Sequence, residues 1–492
     1  MSSRYRRSAL REWRFPRAYP WVAGRSDYAY ALITLSTGGP VAPASLPRTV
    51  RSLVVAGLAL GVASGCASDT PSGGARLGQA ASWSSVAGGP PNSSRAHAGV
   101  SDSPELLWSR TLGAPAIGVA SSDGIGTSFQ ATVSERGCNL FALTADDGRK
   151  RWCSRMPTDG PRITATVDGR GSLFVPAYGG VAAVAAEGEN RWFAATRGVP
   201  TTVTLMDNRH LLLVSHLGVA RVVNAHTGLD ATPELRLTGD VVTDDPAYGL
   251  PWCATGARGC PVPATAAVDT DAATAYLTAW TPGAAEPELV AVRLVGGDAP
   301  ALEVLWRVPL AEGRLGVPVV LSGDRDEVYV HAADGALAAY RAADGAELWS
   351  VPIGYRPDAS PALLPDGTLV TAGRTTTVWR GPDDEHDDDA GPAPVVAVRP
   401  VDGTGREVWR RDDLQQLTNP AATPDGQVIV AVRAGGGGGE PGIAVHVLDG
   451  GDGRTVHRLE VPAASGPVSG LSVDSDGRIA LTTAMGAVYM FG

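Results

Sequence analysis

Residues 337–349 read Leu337-Ala338-Ala339-Tyr340-Arg341-Ala342-Ala343-Asp344-Gly345-Ala346-Glu347-Leu348-Trp349. Apolar and small residues lead into Asp344-Gly345, a pair that readily takes the φ > 0 geometry of a short hairpin loop, and a tryptophan follows four residues after the glycine. The stretch predicts a β-hairpin whose second strand ends in Trp. The phrase returns along the chain: Gly148 to Trp152, Gly188 to Trp192 and Gly405 to Trp409 keep the spacing, and Gly453 keeps it with His457 in the Trp place. Around Gly228 the turn survives without the Trp. Near Trp306 the turn is stretched into Val295-Gly296-Gly297-Asp298-Ala299-Pro300, and Trp108 has no turn before it. Trp-equivalent positions fall mostly 40 to 48 residues apart, the period of a four-stranded propeller blade.

The repeat runs from about residue 105 to the end. After a first strand at Glu105–Gly113 come seven groups of four segments, and an eighth group, from Pro467 to Gly492, has only three. A ring of blades must hide its first and last sheet edges. The strand around Trp108 is therefore expected to pair with the strand around Tyr489 and complete the last blade. The expected fold is all-β, an eight-bladed propeller of four-stranded antiparallel blades over residues 105–492. Blades are narrow at the axis and wide at the rim, so Trp108, Trp152, Trp192, Trp306, Trp349 and Trp409 are expected to wedge between neighbouring outer strands.

Ahead of the repeat, Leu53 to Val62 form a short apolar run with Arg48 and Arg51 before it and Ala63-Ser64-Gly65 leading into Cys66. The run is too brief to span a bilayer. It resembles a bacterial lipoprotein signal peptide. That resemblance implies that Cys66 is diacylated, becomes the mature N-terminus and anchors an exported protein to a membrane of the cell envelope. Residues 1–65 are then a signal peptide carrying an upstream extension, which a start codon assigned too far upstream would explain. Residues 66–104, mostly Ser, Gly, Ala and Pro, read as a flexible tether.

Removing Cys66 leaves four cysteines, an even number suited to an oxidising compartment. Cys253 and Cys260 close a short loop. Cys138 and Cys153 flank one hairpin and come within reach if a bulge shifts the register. The spacing offers no metal site, since there is no Cys-x-x-Cys and no histidine cluster. His210, His216 and His226 are close in sequence but are expected to point apart. Asp146, Asp147, Asp344 and Asp402 sit in hairpin turns, where a structural role is expected. The acidic run Asp383 to Asp389 lacks the glycine and spacing of a calcium loop, and Gly435 to Gly439 lacks the helix and Lys-Ser/Thr of a phosphate cradle. A net charge of −10 gives no basic footprint for nucleic acid.

An apolar strand, Asp-Gly or Thr-Gly, and Trp four residues after the Gly together resemble the tryptophan-docking repeat of the quinoprotein dehydrogenase type, or PQQ-like repeat. The resemblance covers residues 105–492 and implies the eight-bladed fold. Its quinone enzymes hold pyrroloquinoline quinone (PQQ) against two adjacent bonded cysteines and bind Ca²⁺ through Glu, Asn and Asp. This chain has no adjacent cysteine pair, so neither PQQ nor a metal is expected. Together with the anchor, the repeat implies a non-catalytic envelope scaffold that holds partner proteins, similar to the propeller lipoprotein of the outer-membrane β-barrel assembly machinery. The alternative is a PQQ-dependent envelope oxidoreductase. Partners are expected on the face bearing the long connections 239–260, Thr281–Glu288, 380–394 and 434–442, because loops lengthened on one side of a rigid scaffold are where binding usually resides.

Overall fold

The computed structural model of the chain describes residues 80–134, 137–156, 164–239, 245–253, 260–310, 317–331, 335–373, 393–435, 442–463 and 467–492. The apolar run before Cys66, Cys66 itself, the acidic run Asp383 to Asp389 and most of the glycine run lie outside the described residues.

Eight antiparallel four-stranded sheets form the blades, and seven of them are built from consecutive strands. The eighth consists of Val468–Val473, Ile479–Thr483, Ala487–Phe491 and, as its outermost strand, Leu106–Thr111. Trp108 pairs with Met490, Ser109 with Tyr489 and Arg110 with Val488. The expected closure is therefore present: the N-terminal strand covers the edge the last blade would otherwise expose.

The repeated turn differs from a two-residue hairpin. In blade five, Ala336–Arg341 pairs with Glu347–Pro352, and the loop between them is closed by Gly345 N–H donating to Arg341 O and Arg341 N–H donating to Ala346 O. Only Gly345 needs the left-handed region, at φ 73°. Asp344 instead accepts the N–H of Ala346 through its side chain, an Asx turn. Tyr340 faces Glu347 and Ala339 faces Trp349, so Leu348 is the extra residue of a bulge. The same offset recurs at Ala142/Leu143, Ala183/Val184, Ala397/Val398 and Val447/Leu448.

The packing of the tryptophans follows from this turn. A Cβ added to Gly148, Gly188, Gly228, Gly345, Gly405 or Gly453 would meet the ring of Trp108, Trp152, Trp192, Trp306, Trp349 or Trp409, respectively, at 2.5–2.8 Å. Each indole thus lies on a glycine of the following blade's outer hairpin, a turn glycine in five blades and, in blade six, Gly405, which stands in the strand Thr404–Arg411 after the two-residue turn Asp402-Gly403. Four of the six also donate their N–H to a carbonyl of the hairpin they lie on: Trp108 to Ala145, Trp152 to Ala186, Trp306 to Ala342 and Trp409 to Gly450. Between the blades lie apolar cores such as Ile429, Val445, Leu471, Leu481 and Phe491, all essentially buried.

The tether reading of 66–104 is corrected for its described part. Residues 80–96 circle the axis at one end of the channel and bond to the innermost strands, where carbonyls of Trp83, Ser84, Pro90, Pro91, Ser93 and Ser94 accept the N–H of Ser122, Val167, Val268, Leu321, Leu363 and Ala422 at 2.7–2.9 Å. Innermost strands turn an unpaired edge toward the axis, and this segment satisfies that edge in six of the eight blades. Trp83, only 1% exposed, anchors it. Its Ser, Gly, Ala and Pro composition is what a narrow channel admits, and it is also what a linker looks like. The innermost strand of blade one is reduced to Ser121–Ser122 beyond a bend at Gly118 (φ 75°), with Ala116 bridging Thr132 on the near side.

Candidate functional site

The residues joined to the axial segment lie at or next to the end of each innermost strand, beside the turn into the second strand. That end of the channel is closed. At the other end, the residues that precede or begin the innermost strands surround a cavity of about 180 Å³. Its wall takes Ile117, Gly118 and Val119 from blade one, Thr164 and Thr166 from blade two, Val199 to Thr201, Val203 and Thr204 from blade three, Pro263 to Thr265 from blade four, Pro318 from blade five, Asp358 to Ser360 from blade six, Thr418 and Asn419 from blade seven and Ser469 from blade eight. Ser85 and Val86 of the axial segment reach it from the closed side.

Hydroxyls of the wall largely stitch blade to blade. Thr164 Oγ1 accepts from Val119 N–H at 3.1 Å, Thr265 Oγ1 donates to Thr201 O at 2.7 Å, and Thr201 Oγ1 donates to Val262 O at 3.0 Å. Asn419 Nδ2 donates to Leu471 O at 2.9 Å. Ser360 and Ser469 differ: both are buried and their hydroxyls have no hydrogen-bond partner among the described groups.

A short strap completes the wall. Leu250–Cys253 forms one helical turn, and Leu250 and Cys253 line the cavity. Cys253 is bonded to Cys260, with Cα atoms 5.0 Å apart. Fully buried His216 holds the strap from beneath: its Nδ1 accepts from Val199 N–H at 3.0 Å, and its Nε2–H donates to Tyr248 O at 2.6 Å. Those roles define a neutral imidazole, and burial lowers its pKa below the usual histidine value. Nothing in the sequence singled out His216, Leu250 or Ser85 for this place.

The other residues named from sequence are dispersed. Cys138 and Cys153 are bonded, with Cα atoms 5.6 Å apart, across the bulged hairpin of blade one and outside the cavity wall. His210 pairs with Asp207 and His226 with Arg191, each apart from His216. The Thr144 hydroxyl and then the Arg149 N–H hold the Asp147 carboxyl below the usual range, and the Ala346 N–H and then Arg341 do the same for Asp344. Asp146 pairs with Arg478, and Asp402 takes φ 50° in its turn.

PQQ bears three carboxylates, and a site for it needs cations or several N–H donors facing them. Among the described residues the wall carries no Arg and no Lys, and its one charged side chain is Asp358. No group of three His, Cys, Asp or Glu among the described residues is placed to hold a metal ion. Cys253, the cysteine at the wall, is bonded to Cys260, seven positions on, rather than to an adjacent cysteine. The described wall does not fit PQQ and Ca²⁺.

Comparison with known proteins agrees with this architecture. A family profile described as outer membrane protein assembly factor BamB matches residues 271–403. The chain is 31% identical over 358 residues to the protein Rv3035 of Mycobacterium tuberculosis (strain ATCC 25618 / H37Rv), covering 72% of this chain and 82% of that one. Among solved structures, BamB from Moraxella catarrhalis superposes with a TM-score of 0.52 at 15% identity, covering 79% of this chain and 97% of its own. A europium-containing methanol dehydrogenase superposes at 0.58 and 11% identity, over 84% and 98% of the two chains. The quinohemoprotein alcohol dehydrogenase of Comamonas testosteroni gives 0.56 at 11% identity, over 85% and 81%. At such identities the solved structures report the fold alone. With its docked tryptophans, its closing N-terminal strand and its Mycobacterium relative, the chain belongs to the PQQ-like eight-bladed β-propeller family.

Proposed function

We propose that this protein is an exported, lipid-anchored scaffold of the cell envelope that holds partner proteins on one face of its disc and carries out no chemistry of its own. One observation supports the reading above the others. The channel is sealed at the turns that follow the innermost strands, and the lengthened connections leave from strand ends on the opposite side. The connections 239–260, 374–392 and 435–441 all join blade to blade or second strand to third strand. A disc with one plain, closed face and one elaborated face suits docking better than turnover. The description of the matching family profile, an outer membrane assembly factor, is consistent with it.

The anchor follows from the Arg-flanked apolar run that ends in Ala63-Ser64-Gly65-Cys66. Mass spectrometry of the membrane fraction is expected to find the mature chain beginning at an acylated Cys66, and Cys66→Ala is expected to release it. Partner docking is tested by pull-down from envelope extract with two variants, one shortening 239–260 and one replacing the turns at Asp366 and Asp425 on the sealed face. Loss with the first only supports the reading; loss with the second only overturns it. Reconstitution with PQQ and Ca²⁺ followed by dye reduction over alcohols and sugars tests the oxidoreductase alternative, and turnover there would replace the scaffold reading.

A further inference from the structure

We infer that the sealed face of the disc is turned toward the lipid surface that holds the anchor, and that the elaborated face is thereby presented away from it, to partners in the aqueous phase. The inference rests on the Cys66 anchor reading and adds to it which way the scaffold points. The first described residues place the join between tether and disc. Ala80 N–H donates to Val167 O at 3.2 Å, and a Cβ on Gly124 would touch Ala81 O and Ser82 Cβ at 3.4 and 3.5 Å. Val167 ends the innermost strand of blade two, and Gly124 stands in the turn after the innermost strand of blade one. The chain therefore enters the disc near the axis and on the sealed face. It stays on that face, where Gly99 lies against the Asp425 carboxylate, 3.1 Å from an added Cβ, before the chain reaches the outermost strand of blade eight at Leu106.

Chain length sets the orientation. Ala80 lies fourteen residues after Cys66, and a chain of that length spans at most about 50 Å fully extended and about 20 Å as a random coil. A lipid on the sealed side is reached directly. To turn the elaborated face to the lipid, the same residues must pass outward beneath three strand spacings to the rim and then along the height of a blade, about 40 Å before any lengthened loop is cleared. That path needs nearly full extension, which the loss of chain entropy opposes. Charge sets how closely the sealed face approaches. An aspartate ends or follows every innermost strand, from Asp123 in blade one to Asp474 in blade eight. Arginines of the same face such as Arg325 and Arg478 are already paired with its acids. An anionic lipid surface repels such a face within a Debye length, about 8–10 Å. The sealed face thus stands off the headgroups without adsorbing to them, and the anchor alone holds it there.

The experiment takes the chain beginning at Cys66, the one cysteine outside the two disulfides, and couples that thiol to a maleimide lipid in phosphatidylcholine–phosphatidylglycerol vesicles. It reads the geometry whether or not cells acylate Cys66. Donor dyes are attached at Ile125→azidophenylalanine or Glu187→azidophenylalanine, in turns of the sealed face, and at Met485→azidophenylalanine, in a turn of the elaborated face. Ile125 and Met485 are 82% and 61% exposed, so the labels leave the core untouched. Energy transfer to an acceptor lipid is expected to be about 2-fold or more higher from the two sealed-face sites, because a blade is about 20 Å tall. Equal transfer, or more from Met485, would overturn the orientation. The same chain with its thiol blocked and uncoupled is expected not to sediment with the vesicles; sedimentation would overturn the stand-off. Mass spectrometry of the cellular protein separates this inference from the anchor reading. An unacylated Cys66 there removes the anchor, and with it the orientation in the cell, while transfer in the vesicles still reports the geometry.

Discussion

Trp108 lies flat on Gly148: a Cβ at that glycine would stand 2.6 Å from the indole, and Trp108 Nε1–H donates to Ala145 O at 2.7 Å. Arg110, two residues on, donates to the carbonyl of Gly148 itself at 2.7 Å. One residue pair thus locks the last blade, which the N-terminal strand completes, onto the first. Gly148 sits at φ 65°, so any side chain there meets both backbone strain and the ring. Gly148→Ala is expected to lower stability by about 2–4 kcal/mol, and Trp108→Ala by about 2–3 kcal/mol because the indole is only partly buried. Chemical denaturation measures both. A Gly148→Ala chain that unfolds like the parent would show that the ring is not held closed at this contact.

Asn92 ties the axial segment to two blades at once. Its Nδ2 donates to Thr265 O and to Val319 O, both at 3.2 Å, while its backbone takes φ 55°. Asn tolerates that region better than most residues. Asn92→Ala loses both bonds and adds strain, with an expected loss of about 2–3 kcal/mol; Asn92→Gly loses only the bonds and is expected to cost about 1 kcal/mol less. Equal losses in the two variants would mean that the backbone angle carries no strain.

Trp83 is expected to be the most sensitive position outside the repeat. It belongs to the buried apolar cluster that includes Val119 of blade one and Val473 and Ile479 of blade eight. Trp83→Ala should cost about 3–5 kcal/mol. Deletion of 80–100 should expose the six inner-strand N–H groups and give a chain that aggregates or is cut rapidly by protease. A soluble, protease-resistant deletion would show that the blades need no axial partner.

Burial pushes the His331 imidazole down to about 4. Its folded value lies below the unfolded one, so above about pH 6.5 both states are neutral and the group is silent. As pH falls from about 6.5 to about 4 the unfolded chain binds a proton that the folded chain excludes, and stability drops by up to about 3 kcal/mol. Urea unfolding across that window is expected to show a shallower pH slope in His331→Leu than in the parent. Parallel slopes would mean that His331 can be protonated without unfolding.

The strap at the cavity mouth is expected to depend on His216. His216→Ala removes the acceptor of Val199 N–H and the donor to Tyr248 O. Limited proteolysis should then cut between residues 245 and 253 several-fold faster, with the disulfide Cys253–Cys260 still intact. Unchanged cutting would leave the disulfide as the sole restraint.

The blades were legible in the sequence because their information is local and periodic. A turn glycine, a Trp four residues later and a spacing near 44 residues specify one hairpin and its repeat without reference to distant chain. The missing strand of the last blade was legible as well, because an uncovered edge demands a partner and Trp108 had no turn of its own. The axial segment was not legible. Gly88, Pro90, Pro91 and Ser93 carry the composition of a linker, and they are ordered only because inner strands far along the chain, at Val268, Leu321 and Leu363, offer N–H groups that face the axis. The cavity was hidden for the same reason. Val119, Thr265 and Ser469 are widely separated in sequence and become neighbours only when the ring closes. Hydrogen bonds and surfaces of that kind belong to the closed ring, so tertiary structure alone decides them, whereas the hairpin and its docked indole belong to the repeat itself.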